Sequence, residues 1–333
     1  MKNNFKIFCI FAALCFFSAL ADAQSRTRLT IYGVKGPSSV ALIRLFEQPP
    51  LSADYEIKLE ALSQADLLAA LFISGEAKIG ILPPNMAAKI ASTGRKIQIA
   101  AVTGNGMLSL LSGDPSVRTI DHLKGKTLEV AGQGATPDFV IRKILLSRGL
   151  VPGRDVQLGY ALAYPEIALA LAAGRVKFAL LPEPFATMAL TNNPGLFAVE
   201  DIQNEWAKIH QKNRSGAGIN AADNYPMTVL AVDTTFAEAN RNLITKILES
   251  VEESIKWVQA NPGEAGALAE KHELGLRAAV LREAIPKSNY NFIPLPQARS
   301  ALEDLFAAFL EFAPESIGGA LPKDDFYYNS GMR

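Results

Sequence analysis

Two stretches of this chain match one another at a constant separation, and no other feature limits the possible folds as strongly. Residues 68–85 (LAALFISGEAKIGILPPN) align with residues 167–184 (IALALAAGRVKFALLPEP), so that Gly75 falls on Gly174, Lys78 on Lys177, Leu82 on Leu181 and Pro83 on Pro182, each 99 positions later. Each copy reads as an Ala/Leu-rich helix, a glycine that ends it, a short apolar strand, and a proline turn opening another helix. At the same offset, Leu29-Thr30-Ile31-Tyr32-Gly33 running into Gly36-Pro37-Ser38 corresponds to Leu128-Glu129-Val130-Ala131-Gly132 running into Ala135-Thr136-Pro137. A strand that turns on glycine into a helix leaves backbone N–H groups at the positive end of the helix dipole, where a ligand oxygen can be received. One such match could arise in any α/β protein. Two matched segments at one offset imply two lobes built alike, with equivalent loops facing each other.

The chain opens like an export signal. Lys2 and Lys6 precede an apolar run over 7–20, and Ala21-Asp22-Ala23 gives a small-x-small cleavage pattern. The run is too short to favour a bilayer span. A lipoprotein signal at Cys15 is the alternative, weakened by the bulky Leu14 before it. Cleavage after residue 23 removes Cys9 and Cys15, the two cysteines of the chain, and with them disulfides, thiolate chemistry and Cys-ligated metals. An exported soluble protein without thiols fits a bacterial periplasm. Removing Lys2, Lys6 and Asp22 leaves 31 of 33 basic and 32 of 33 acidic residues, a balance that offers nothing to a nucleic acid or a membrane surface. About 310 residues, 49% hydrophobic over the full chain, suffice for two domains with real cores.

The expected lobes are 24–104 with 226–333, and 105–225. The first reads β (28–34), α (37–47), β (55–59), α (63–74, Ser63 as N-cap), β (78–82), α (84–92) and β (97–102). Thr103-Gly104-Asn105-Gly106 favours a crossover. The second reads β (127–131), α (137–148, with Thr136 as N-cap), β (156–160), α (165–173), β (176–181), α (184–190) and β (196–199). The polar segment 211–224 reads as a surface loop leading to a return strand at 228–232. Ile244, Ile247, Leu248, Val251, Ile255 and Val258 form a helical stripe, and further helices are expected over 262–271, 276–284 and 296–312. This tail is expected to pack on the first lobe. Strands alternating with helices imply mainly parallel sheets covered on both faces.

The segments LLAALFISGEAKIGILPPN, DHLKGKTLEVAGQGATPDFVIRKILLSRGL, EIALALAAGRVKFALLPEPFATMAL and LPKDDFYY resemble the solute-binding proteins of ABC importers, in the group that includes taurine, alkanesulfonate, nitrate and thiamine-precursor binders. The resemblance covers about 28–328. It implies an α/β, two-lobed type II periplasmic-binding-protein fold with a ligand cleft between the lobes. It further implies a monomer that captures a small molecule and delivers it to a membrane permease. Carried over position by position, the ligand contacts come from Lys35, Gly36, Pro37 and Ser38; from Pro83, Pro84 and Asn85; from Thr103, Gly104 and Asn105; from Gly134, Ala135, Thr136 and Pro137; and from Glu183, Pro184 and Phe185. Where the sulfonate binders often carry serine and histidine, this chain has Ala135, Thr136, Pro137 and Asp138. Asp138 is expected to bring negative charge to the place an anion would occupy, so a neutral or zwitterionic ligand is expected. Tyr32, Tyr164 and Tyr225 are candidates for stacking on a flat ligand.

Each of these residues also has a plainer role. Thr136 and Pro137 can cap and start a helix, Glu183 can complement a helix dipole, Lys35 can be a solvated loop lysine, and each tyrosine can be core. Gly132-x-Gly134 lacks the third glycine and the acidic residue of a dinucleotide fingerprint. A thiamine-precursor-type enzyme and a periplasmic ligand sensor are the alternatives on this fold. His122, His210 and His272 lack partners at metal-ligand spacing, and no nucleophile elbow or phosphate loop is present. Neither a catalytic residue, a metal nor a cofactor is expected.

Overall fold

The structure, a computed structural model, describes residues 26–130, 132–211 and 224–329. The expected leader and most of the polar loop over 211–224 lie outside them. The chain runs β1 (Thr27–Val34), α1 (Pro37–Val40), α2 (Ile43–Glu47), β2 (Tyr55–Leu62), α3 (Ala65–Ser74), β3 (Ile79–Leu82), α4 (Pro84–Ser92) and β4 (Ile97–Asn105). It continues through β5 (Leu108–Ser112), β6 (Thr127–Val130), α5 (Thr136–Ser147), β7 (Gln157–Gly159), α6 (Tyr164–Ala172), β8 (Phe178–Pro182), α7 (Phe185–Asn192), β9 (Phe197–Ala198) and α8 (Ile202–Gln211). After β10 (Pro226–Asp233) come α9 (Thr234–Ala239), α10 (Arg241–Ala260), α11 (Pro262–Lys271), α12 (Ala278–Ala284), β11 (Ile293–Pro294) and α13 (Leu295–Phe312).

The repeat in the sequence becomes a repeat in the sheets. One sheet has the order β11-β4-β10-β3-β1-β2 and the other β7-β6-β8-β5-β9. Read from the outer edge, β2-β1-β3-β10-β4 matches β7-β6-β8-β5-β9 strand for strand. In both, the first three strands are parallel, as expected. The fourth place is held by an antiparallel strand, β10 in one sheet and β5 in the other. The sheets are therefore mixed. The sequence reading missed this because it placed strands along the chain and not across it. The glycine stops agree with expectation: Gly75 ends α3 with φ +84°, and Gly174 follows α6 with φ +72°.

The two crossovers pass close to each other. β4 runs to Asn105 and β5 begins at Leu108, while the return strand begins at Pro226. A Cβ on Gly106 would lie 2.4 Å from Asn224 Oδ1 and 2.6 Å from the Tyr225 ring, so only glycine fits between the two chains. The Tyr225 hydroxyl donates to Gln203 Oε1 (2.6 Å) and accepts the Leu108 N–H (3.4 Å). That ties both crossovers to α8, a helix the sequence reading left unassigned.

Other local expectations shift. The N-cap of α3 is Gln64 and not Ser63, and that of α5 is Ala135 and not Thr136; neither cap makes a side-chain hydrogen bond. The segment 37–47 forms two short helices in place of one. α10 buries its stripe as expected.

The tail reaches further than expected. α13 packs on β4, β10 and α4 of the first lobe and also on α5 of the second. There Phe139 meets Phe309 edge-on (centroids 4.7 Å apart) and Phe312 in a parallel stack (5.9 Å). Lys143 pairs with Glu311 beside them (2.5 Å), and His210 lies 3.6 Å from Asp304. Buried apolar residues of both sheets thus join one core through α13.

Phe309 is fully buried at this junction. Phe309→Ala should lower the unfolding free energy by about 3–5 kcal/mol, read from urea melts. Gln297→Ala, on the exposed side of the same helix, should stay within about 0.5 kcal/mol of the parent.

Candidate functional site

In α/β sheets, ligands gather beyond the carboxyl ends of parallel strands. Here those ends are the turns after β1, β3, β6 and β8. After β1, Lys35 is exposed and its N–H is held by the Leu62 carbonyl (2.7 Å). Gly36 takes φ +113°, a left-handed value that favours glycine, and a Cβ there would meet nothing within 4 Å. The Ser38 and Ser39 hydroxyls both donate to Val34 O (3.1 and 2.7 Å), which folds the turn back onto the strand. After β3, Pro83 and Pro84 open α4. Asn85 follows with its Oδ1 sealed from solvent and lacking a hydrogen-bond partner. An unpaired buried acceptor is costly unless something donates to it.

The crossover contributes Thr103, Gly104 and Asn105. Thr103 is fully buried, its hydroxyl 3.1 Å from that of Thr228 on the return strand. A Cβ on Gly104 would come within 2.7 Å of the same Thr228 hydroxyl. Asn105 is buried, and its N–H donates to Asn289 O (3.1 Å). Asn289, at φ +44°, returns its side-chain amide to Gly106 O. Next to it the Tyr290 hydroxyl donates to Pro37 O (2.9 Å), linking the tail to the turn after β1. Burial pushes the Tyr290 phenol up, the Ser288 hydrogen bond partly offsets this, and the negative charge of Glu183 adds a smaller upward push.

Sequence reading missed this strip, 287–290. A weak signal existed: a polar break, Lys287-Ser288-Asn289-Tyr290, between two apolar helical segments. Its contacts lie 183 residues away at Gly106 and 253 away at Pro37, and no local pattern reports them.

On the second lobe, Thr136 and Pro137 are buried at the start of α5, while Gly134 and Ala135 are half-buried in the turn before it. Asp138 is only 2% exposed. Its Oδ2 accepts the Gly134 N–H (2.9 Å), and its Oδ1 accepts from Arg142 Nε and from the Tyr160 hydroxyl (2.6 Å each). Asp138 is therefore not a bare charge facing the cleft, as the sequence reading had it. Its charge is balanced by Arg142, one helical turn away. Neither Arg142 nor Tyr160 was singled out from the sequence.

Glu183 is 3% exposed and gives its N–H to Met107 O (3.0 Å), which holds the turn against the crossover. Its Oε2 accepts the Thr187 N–H (3.1 Å) in the first turn of α7, the dipole-complementing role weighed above. Phe185 stacks with Tyr164 (centroids 5.6 Å apart, planes at 16°), and Tyr164 Oη would be 3.3 Å from a Cβ on Gly132. Both rings are half-buried. Tyr225 does not belong with them: it is fully buried, edge-on to Trp206, with its hydroxyl spent on the crossover. Its selection as a ligand contact is withdrawn. Tyr32 is likewise buried. No group of His, Cys, Asp and Glu among the described residues is arranged to hold a metal ion.

Burial raises the Glu183 carboxyl above the ordinary glutamate value, and the Thr187 hydrogen bonding and the Lys287 charge only partly offset it. A carboxyl raised on folding binds its proton more tightly in the native state. Its contribution is complete below the unfolded-state value and is lost as pH rises through the folded one. Glu183→Gln abolishes that titration. The variant's stability relative to the parent should therefore be higher at about pH 7 than at about pH 4. Urea melts at the two pH values check this; a larger relative gain at the acid pH would contradict the desolvated site.

Comparison with known proteins agrees with this fold. Residues 76–271 match the profile of the NMT1-like family. A solved ABC transporter protein from Parabacteroides distasonis superposes with a TM-score of 0.76 at 25% identity, over 91% of this chain and 99% of the other. The periplasmic aliphatic sulphonate binding protein SsuA of Escherichia coli gives 0.69 at 16% identity, over 92% and 93%. The periplasmic nitrate-binding protein NrtA of Synechocystis PCC 6803 gives 0.59 at 11% identity, over 88% and 84%. No curated protein matches the sequence.

Proposed function

The chain belongs to the NMT1-like family, and on that footing we propose that it is the solute-binding component of an ABC importer. In this reading it is exported to the periplasm and processed near residue 23. As a monomer it captures a small organic molecule between lobes 24–104 plus 226–333 and 105–225, and it delivers that molecule to a membrane permease. The solved neighbours support binding over catalysis, since they are named for transport or for binding a solute. No helix among the described residues is long and apolar enough to cross a membrane, so the permease would be a separate partner.

The observation that carries this reading is that turns of both lobes meet at the crossover, with the 287–290 strip beside it. Asn289 accepts the Asn105 N–H and the Tyr290 hydroxyl holds Pro37, while Glu183 of the second lobe gives its N–H to Met107 O. A ligand in this region would be bounded by Lys35, Gly36, Pro37 and Ser38, by Pro84 and Asn85, and by Thr103, Gly104 and Asn105. The second lobe would contribute Gly134, Ala135, Thr136, Pro137 and Glu183, with the Tyr164–Phe185 pair as an apolar wall. Two acceptors stand out for ligand N–H groups: the unpaired Asn85 Oδ1 and the buried Glu183 carboxylate. Lys287 is exposed in the 287–290 strip, and Lys35 is exposed on the first lobe. A buried carboxyl and an unpaired amide oxygen suit a neutral or zwitterionic ligand that brings N–H groups. A dianion would lose its hydration with too little returned. The stacked rings favour a flat ligand.

Native mass spectrometry of the purified protein should find one small molecule per chain, or a thermal-shift screen of sulfonates, nitrate, polyamines, pyrimidines and vitamins should find a stabilising one. A ligand at a thousand times its dissociation constant adds about 4 kcal/mol. Glu183→Gln should weaken that ligand at least about tenfold, roughly 1.4 kcal/mol. An unchanged affinity would remove Glu183 from the site.

A further inference from the structure

We propose that Asp138 is the resident anion of an anion-binding cradle in the second lobe, and that by filling the cradle it excludes anionic ligands from this side of the cleft. The inference rests on the binding-protein reading above and assigns a specificity determinant within it.

The cradle is built from three separate elements. The turn before α5 supplies the Gly134 N–H, α5 supplies the Arg142 guanidinium, and the chain just after β7 supplies the Tyr160 hydroxyl. All three donate to the Asp138 carboxylate at 2.6–2.9 Å. A fourth bond, from Arg142 Nη2 to the Tyr160 oxygen (2.8 Å), fixes the guanidinium and phenol relative to each other. A backbone N–H at a helix N-terminus, a guanidinium and a hydroxyl converging on one point are what a carboxylate, nitrate or sulfonate requires.

An ordinary surface Asp–Arg pair one helical turn apart would be solvated and would recruit nothing else. This carboxylate is 2% exposed and gathers donors from across the lobe. Burial pushes the Tyr160 phenol up, and the Asp138 charge reinforces this, so the hydroxyl keeps its proton and remains a donor. The turn itself is open, since a Cβ on Gly134 would meet nothing within 4 Å. An anion arriving there finds the Gly134 N–H already taken and a carboxylate behind it.

The test removes the occupant and offers substitutes. Asp138→Ala leaves the three donors and an uncompensated guanidinium. Its melting temperature should rise saturably with sodium formate or sodium nitrate, relative to sodium chloride at equal ionic strength. The apparent affinity should be at least about tenfold tighter than in the parent protein. Asp138→Ala combined with Arg142→Met should lose the response. Should the single variant not fold in plain buffer, refolding it from urea with and without formate reads the same claim: helicity recovered in formate supports it, and none recovered overturns it. A single variant no more responsive than the parent overturns the cradle. A parent protein stabilised by methanesulfonate or nitrate overturns the exclusion. These outcomes are separable from the fate of the binding-protein reading. A parent that binds an organic ligand while Asp138→Ala ignores anions sinks only the cradle. A parent that binds no ligand, beside a variant rescued by formate, sinks only the function.

Discussion

Each sheet is completed by an antiparallel strand lying at a crossover between the lobes, and the rest of the molecule depends on that exchange. β10 returns from the second lobe and pairs with both β3 and β4, while β5, entered directly from β4, pairs with both β8 and β9. Buried on both sides by ladder hydrogen bonds, neither strand can leave its sheet without exposing backbone polar groups. The lobes are therefore rigid where the sheets are. In the proposed clamp, movement between the lobes would turn on the short links around Gly106 and Asn224, where the two segments approach too closely for any side chain on Gly106. Motion of this hinge type needs only a few residues to absorb the torsional change.

The exchange also sets the geometry of the cleft. β10 and β5 hold inner positions beside the parallel strands β1, β3, β6 and β8, and in the proposed reading the turns that follow those four strands bound the ligand. The 287–290 strip then lies along the hinge, with Asn289 on Asn105 and Gly106 and Tyr290 on Pro37. α13 adds a noncovalent link. Its contact with α5 through Phe139, Phe309 and Phe312 joins the helix that begins at Thr136 to the core of the first lobe.

The fold was largely legible because its signals are local and periodic. The matched glycines and prolines at one offset anticipated the matched sheets, and the stripe ending at Val258 anticipated α10. The site was legible only in part. Turn positions followed from the strand–turn–helix pattern, and Gly36, Asn85 and Glu183 do lie in or at those turns. Tyr225 was open to either reading, a stacking residue or part of the core. Its true surroundings, Trp206, Gln203 and Leu108, come from other elements. Asp138 read as a free charge because Tyr160 lies in a separate segment just after β7 and Arg142, though one turn away, carried no mark distinguishing it from a solvated arginine. Residues 287–290 were missed for the same reason: what defines them is a contact partner far along the chain.

The central claim is that ligand binding closes one lobe on the other about the links at Gly106 and Asn224. Gln64 and Ala163, the exposed N-cap residues of α3 and α6, are related by the repeat and follow the outermost strands β2 and β7, far from the hinge. Spin labels at Gln64→Cys and Ala163→Cys, measured by pulsed electron spin resonance with and without the small molecule that most raises the melting temperature, follow that motion directly. A shorter and narrower distance distribution with the ligand is the predicted result. The same distribution with saturating ligand bound would contradict the hinged clamp.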